Sequence, residues 1–197
     1  MNFLAHLYLS QNNKNIMIGN FIADHIRGNN YKKFSKEIQQ GIFLHREIDT
    51  FTDAHEVVRK SKRRLHPRYR HYSGVIIDIF YDYFLAKNWN DYSEIPLEIY
   101  TKSIYQLFNE IKEELPVKSQ NFIKYMIEYD ILFNYNNKAG IAKVLNGMNT
   151  RTKGISQMNL AIEDLEVLED ELQEDFTAFF KDLIAFTNIK LKEIKAI

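Results

Sequence analysis

The sequence predicts an all-α fold, and three observations carry that expectation. Only 7 Gly and 3 Pro occur in 197 residues, too little turn punctuation for an all-β chain. Apolar residues recur at spacings of three and four along most of the length, the period of a helix with one buried face. A hydrophobic share of 45%, with 14% aromatic residues, supplies a sizeable core. No repeat, low-complexity segment or linker divides the chain, so residues 1–197 are read as a single domain.

The elements follow in order. Over Asn2–Ser10 the apolar residues Phe3, Leu4, Leu7 and Leu9 are interrupted by His6. A second helix is predicted over Ile16–Arg27, with Asn20, Asp24 and Arg27 along one face, and a third over Ser35–Asp49, with His45 and Asp49 one turn apart. Asp53–Leu65 follows, and the Pro67 region is read as a connection. His71–Ala86 is the most apolar stretch; helical spacing places His71, Asp78 and Asp82 in one polar stripe among Ile76, Ile77, Ile79, Phe80, Phe84 and Leu85. After a connection at Lys87–Glu94, helices are predicted over Leu97–Leu115, Ser119–Asn134 and Lys138–Asn146, the last stopped by Gly147. Ile155–Lys192 sets Leu165, Leu168, Leu172, Phe176, Phe179, Leu183 and Phe186 at alternating threes and fours, a long amphipathic packing helix.

Composition narrows the chemistry. Cys is absent, which excludes disulfides, thiolate catalysis and Cys-ligated zinc, and fits a reducing compartment. The opening has no basic n-region and no segment approaches a membrane-spanning length, so a cytoplasmic protein is expected, with neither membrane nor nucleic acid as partner. Net charge is zero, with 26 basic and 26 acidic residues, but its distribution is uneven. Between Glu56 and Asp78 no acid occurs, while Arg59, Lys60, Lys62, Arg63, Arg64, Arg68 and Arg70 all do; this block is expected to attract phosphates or an acidic macromolecule, the alternative being a solvated helix face. The acidic run Glu163, Asp164, Glu166, Glu169, Asp170, Glu171, Glu174 and Asp175 is read as solvated surface.

Asp and His residues within apolar stretches need partners, because an ionised carboxylate buried alone costs several kcal/mol or gives up its charge. Asp24 has one alternative partner in Arg27, one turn away, and a His/Asp pair at i, i+4 also occurs as a plain hydrogen-bonded pair. Asp78 and Asp82, facing the same way, repel unless a cation, an Arg or a proton lies between them. Several such groups converging suggest a metal site. An oxygen-rich set with His suits Mn²⁺, Mg²⁺, Fe²⁺ or Zn²⁺, leaning to the harder ions, and its expected chemistry is phosphoester hydrolysis, with Arg27 or Arg46 clamping the phosphate. Phosphate loops, nucleophilic Ser motifs and dinucleotide fingerprints are missing from the sequence.

The motifs Met1-Asn-Phe-Leu-Ala-His6, Gly19-Asn-Phe-Ile-Ala-Asp24, Arg27-Gly28, Gly41-Ile-Phe-Leu-His45-Arg-Glu-Ile-Asp49, Thr52-Asp53, Asp78 with Asp82-Tyr-Phe-Leu85, and Val144-Leu-Asn-Gly-Met148 resemble, in order and spacing, the acyl carrier protein phosphodiesterases. The resemblance implies a helical bundle related to the His-Asp domain phosphohydrolases. It implies use of Mn²⁺, with Mg²⁺ or another divalent ion as the alternative, to release 4′-phosphopantetheine from a serine of holo-acyl carrier protein. Carried onto this chain, it makes Asp24, His45, Asp49 and Asp78 first candidates as ligands or catalytic residues, with His6 and Asp82 close behind; in the mechanism expected here a metal-activated water attacks phosphorus and an Asp such as Asp82 relays the proton. One departure stands out: the wider superfamily uses an adjacent His-Asp pair, whereas here the nearest analogues are Asp24-His25, in reversed order, and the separated His45 and Asp49. Acyl carrier proteins being small and acidic, the Arg59–Arg70 block becomes the expected docking surface. A nucleotide or other small-phosphoester hydrolase of the same superfamily and a non-catalytic helical binding protein are the competing readings.

Overall fold

The computed structural model describes residues 1–196, in which ten α-helices are joined by turns and short 3-10 segments, with no strand among the described residues. The helices are α1 (Phe3–Tyr8), α2 (Lys14–Ile22), α3 (Lys36–Ala54), α4 (Glu56–Tyr69), α5 (Ser73–Lys87), α6 (Leu97–Ile111), α7 (Val117–Glu128), α8 (Ile131–Asn134), α9 (Lys138–Arg151) and α10 (Ala161–Ala196). The all-α expectation and the long C-terminal helix hold. Among the described residues no helix is long and apolar enough to cross a membrane.

Local chemistry sets several boundaries. The side chain of Asn13 accepts the Ile16 amide at 3.1 Å to start α2, and Asn137 accepts that of Gly140 at 2.8 Å to start α9. The residues predicted as one helix over Ser119–Asn134 form two, because Asp130 adopts the left-handed conformation (φ 47°) between α7 and α8. Conversely, α3 runs on through residues 50–54. Pro67 lies within the last turn of α4 on its exposed side and is not a connection, and Gly147 lies inside α9. His71 falls outside α5, in the 3-10 turn Arg70–Tyr72, exposed and with its ring 3.9 Å from that of Tyr72; it shares no stripe with Asp78 and Asp82.

Two glycines bring the functional helices together. A Cβ on Gly19 would lie 2.0 Å from the Ile38 carbonyl oxygen, and one on Gly41 would lie 2.2 Å from that of Ile16. Only hydrogen fits at either position, so α2 and α3 pack backbone against backbone. Asn20 follows Gly19 directly and His45 stands one turn beyond Gly41, which fixes these side chains against each other. The other half of the core forms where α10 lies along α3, α4 and α5: Tyr81 and Phe84 meet Phe176 at ring separations of 5.5 and 5.9 Å, and Phe179 and Phe180 are fully buried beside them. A full burial of each such ring contributes about 1.5–3 kcal/mol.

The charge blocks of α4 and α10 meet across this interface, which corrects the reading of Asp175 as solvated surface and engages part of the basic block. Asp175 is buried, not solvated, and accepts from Ser61 Oγ at 2.8 Å, Lys60 Nζ at 2.9 Å and Arg64 Nη1 at 2.5 Å. Arg68 pairs with Asp164 at 3.1 Å and Glu163 at 3.4 Å, and Glu169 takes Lys87 at 2.9 Å and Lys138 at 2.6 Å. Lys62 is held by Asp53 at 2.7 Å. Four of the seven block cations are therefore engaged within the fold; Arg59, Arg63 and Arg70 are exposed and have no ion pair among the described residues.

Candidate active site

Asn20 organises the site. Its side chain is fully buried, and its Nδ2 donates to the His6 carbonyl at 2.8 Å and to Ser10 Oγ at 3.1 Å. A carbonyl only accepts, so the amide orientation is settled and Oδ1 must be the acceptor facing the two imidazoles. His6 Nδ1 donates to it at 2.8 Å and His45 Nδ1 at 3.0 Å. Both histidines thus carry their proton on Nδ1, and both Nε2 atoms point the other way, into a cleft of about 260 Å³.

There they meet carboxylates. His6 Nε2 is 3.2 Å from Asp49 Oδ1, and His45 Nε2 is 3.1 Å from Asp49 Oδ2 and 3.2 Å from Asp24 Oδ1. Ligand atoms of His6, His45 and Asp49 lie within 4.8 Å of one another. Hydrogen bonding in the protein satisfies only part of this set: His6 Nε2 is buried and makes no hydrogen bond among the described residues, despite its short distance to Asp49. A lone pair facing a carboxylate oxygen at 3.2 Å is repulsive unless a proton or a cation offsets it.

The electrostatics agree with that geometry. Burial and the neighbouring His45 push His6 down to about 4, so it is neutral. Burial also disfavours charge on His45, but Asp24 and Asp49 outweigh it and bring it up to about 9. Asp49 is partly desolvated, yet its contacts with His45 and His6 hold it well below the usual carboxylate range, and Asp24 is lowered chiefly by its hydrogen bond with His45. Without an ion the site therefore keeps one proton, on His45, as the substitute for positive charge.

The remaining sequence candidates separate into those at the cleft and those away from it. Asp78 lines the cleft but is not in the ligand cluster; its Oδ1 accepts the Met1 ammonium at 3.0 Å. Asp82 does not line the cleft. Its fully buried carboxylate accepts the amides of Leu4 at 2.7 Å and of Asn2 and Ala5 at 3.3 Å, closing the N-terminus of α1. Neither arginine proposed as a phosphate clamp lines the cleft: Arg46 points away from it, over the rings of Tyr31 and Phe43, and Arg27 is exposed in the loop that follows Asp24. Asp24 pairs with His45, and no ion pair joins it to Arg27 among the described residues. Sequence reasoning placed Asn20 on a polar face without assigning it a role; its position directly after a glycine that allows contact between helices is the signal that marks it.

A profile of the family described as acyl carrier protein phosphodiesterase matches residues 1–183. A protein named acyl carrier protein phosphodiesterase from Klebsiella pneumoniae (strain 342) is 30% identical over 191 residues, which cover 96% of this chain and 99% of that protein. One of the same name from Enterobacter sp. (strain 638) is 31% identical over 181 residues, 91% of this chain and 94% of its own length, and one from Salmonella agona (strain SL483) is 30% identical over 186 residues, 94% and 96% respectively. No solved structure gives a significant match. The profile spans nearly the whole chain, including α1, α2, α3 and α5 that build the cleft, so the chain belongs to the acyl carrier protein phosphodiesterase family.

Proposed function

We propose that this protein is a divalent-metal-dependent phosphodiesterase that acts in the cytoplasm on holo-acyl carrier protein, giving apo-carrier protein and 4′-phosphopantetheine. The family names the substrate and reaction class. The orphaned Nε2 of buried His6, aimed at Asp49 beside a second Nε2, carries the metal reading. Ligands at right angles, each about 2.1 Å from a six-coordinate ion, stand about 3.0 Å apart, and the observed separations of 3.1 and 3.2 Å suit that spacing. His6, His45 and Asp49 would hold the ion, and the mixed oxygen and nitrogen donors favour Mn²⁺, with Mg²⁺ the alternative. When bound, the ion lowers the pKa of water and offsets charge on the phosphoryl oxygens.

The chain's own residues do the rest. Asn20 orients both imidazoles and fixes their tautomer, as hydrogen bonds behind metal ligands generally do. Among the cleft carboxylates, Asp78 is tied to the Met1 ammonium and Asp53 to Lys62, while Asp24 is largely exposed with one oxygen on His45 and the other without a protein partner among the described residues. Asp24 is therefore assigned to take the proton from the attacking water, the role that burial denies to Asp82. The serine oxygen of the carrier protein then leaves. Kinship with the His-Asp phosphohydrolases is part of the same proposal, supported by His45 and Asp49 one turn apart on α3 beside a histidine from a second helix.

Incubation of metal-free protein with holo-acyl carrier protein, followed by mass spectrometry, tests the reading. Loss of the prosthetic group is expected only after Mn²⁺ is restored, and His45→Ala and Asp49→Ala should each abolish it while leaving the helical spectrum intact. Full turnover in the presence of chelator would refute metal dependence, and no turnover with any divalent ion would refute the substrate.

A further inference from the structure

The cleft is lined by Asp24, Asp49, Asp53 and Asp78, so its own wall repels an acidic protein unless positive charge at the rim draws that protein in. The α4 block is poorly suited to this task, since four of its seven cations are already paired. A different segment has free charge. From Asp24 to Glu37 there is no acid, and Arg27, Lys32, Lys33 and Lys36 are all exposed with no ion pair among the described residues. Neighbouring acids are engaged elsewhere: Asp24 with His45, Glu37 with Asn15, and Glu47 with Lys190 at 3.5 Å.

This segment is also held in a defined shape. The Tyr31 ring packs edge-on to Phe43 of α3 at 5.1 Å, Arg46 spreads its guanidinium over both rings at 5.8 and 5.9 Å, and Gln39 Nε2 holds the Phe34 carbonyl at 2.8 Å. Arg46, exposed and without an ion pair among the described residues, extends the basic face along α3. One end of the segment follows Asp24 in the cleft and the other enters the helix that bears His45 and Asp49.

We infer that the Arg27–Lys36 loop, together with Arg46, is the surface on which the acidic carrier protein docks, in place of the α4 block. The inference rests on the phosphodiesterase reading above. Arg27 stands three residues beyond Asp24 of the cleft, so a partner seated on this face meets the cleft at the Arg27 end of the loop. Because the charges are exposed, they act over about 8 Å at physiological salt and set association more than chemistry.

The test compares wild type, Lys32→Glu/Lys33→Glu/Lys36→Glu and Arg59→Glu/Arg63→Glu on two substrates, holo-acyl carrier protein and bis(p-nitrophenyl) phosphate. The loop variant should raise KM for the carrier protein about tenfold or more and flatten its salt dependence. It should leave kcat and the small-diester rate unchanged, and the α4 variant should match wild type. Wild-type KM in the loop variant, a rise in KM confined to the α4 variant, or a parallel loss on both substrates would each overturn the docking face. A wild type that cleaves the small diester but never the carrier protein removes the substrate reading, and the docking face falls with it.

Discussion

The imidazole rings of His6 and His45 stack at 4.2 Å with 21° between their planes, and both place Nδ1 on the same oxygen of Asn20. Two stacked rings that share one acceptor are held in register for a common target on their Nε2 side. Asn20→Ala should remove that register, lowering Mn²⁺ affinity and turnover by about 10–100-fold, the usual effect of losing a group behind a metal ligand. Calorimetric titration with Mn²⁺ alongside steady-state kinetics checks both, and unchanged affinity would show that Asn20 serves packing alone.

Protonation of this pair makes the stability of the metal-free protein depend on pH. His45 is raised to about 9 against about 6.5 unfolded, so its contribution is full below pH 6.5 and is lost as pH rises from there through 9. His6 is lowered to about 4, so its own contribution rises between pH 4 and 6.5, where it is opposed by Asp82, which burial raises to about 7 and whose contribution falls over that range. Melting temperature after chelation should therefore fall as pH rises from 6.5 to 9. Mn²⁺ displaces the His45 proton, so the added stability from metal should grow across pH 6.5–9. Melts over this range with chelator and with Mn²⁺ read both trends; a metal-induced gain that shrank with rising pH would contradict the ligand set.

Much of this arrangement was legible in the sequence. Helical spacing alone put His45 and Asp49 on one face, and polar residues within apolar stretches marked His6, Asn20 and Asp24, of which His6 and Asn20 are buried. Less legible was the direction in which groups on other elements pointed. Asp78 and Asp82 share a face of α5 as predicted, but that face meets the start of α1, whose unpaired amides and ammonium claim both carboxylates. Arg46 is next to His45 in sequence and therefore about 100° away around the helix, a rotation that turns it from the cleft. The complementarity of the α4 and α10 charge runs depends on an antiparallel contact between segments about a hundred residues apart, which no local pattern encodes.

That contact should be needed for stability. Asp175→Ala leaves Arg64, Lys60 and the buried Ser61–Tyr81 hydroxyl pair without their common acceptor. A loss of about 3 kcal/mol is expected, which for a chain of this length lowers the melting temperature by roughly 5–10 °C. Arg63→Ala, a change on the exposed face of the same helix, should shift it by less than about 1 °C. Equal melting temperatures for the two variants would mean the α4–α10 ion cluster contributes nothing net.

Asp82 provides the sharpest contrast between a structural and a chemical carboxylate. Its Oδ2 takes the Leu4 amide and its Oδ1 those of Asn2 and Ala5, which closes the first turn of the helix that carries His6. In Asp82→Asn, one oxygen becomes an amide nitrogen whose hydrogens oppose an N–H group, at a cost of about 1–3 kcal/mol. Stability should fall, while kcat of the folded, Mn²⁺-saturated enzyme changes by less than about tenfold. Asp24→Asn should do the reverse: melting stays near wild type, because the side chain is largely exposed, and kcat drops by about 10²–10⁴ with loss of the acid limb of the pH–rate profile. Thermal melts paired with pH–rate profiles for both variants decide the assignment. If Asp82→Asn instead abolished the acid limb with melting unchanged, the proton acceptor would be Asp82, and the cleft would have to open toward α5 during turnover.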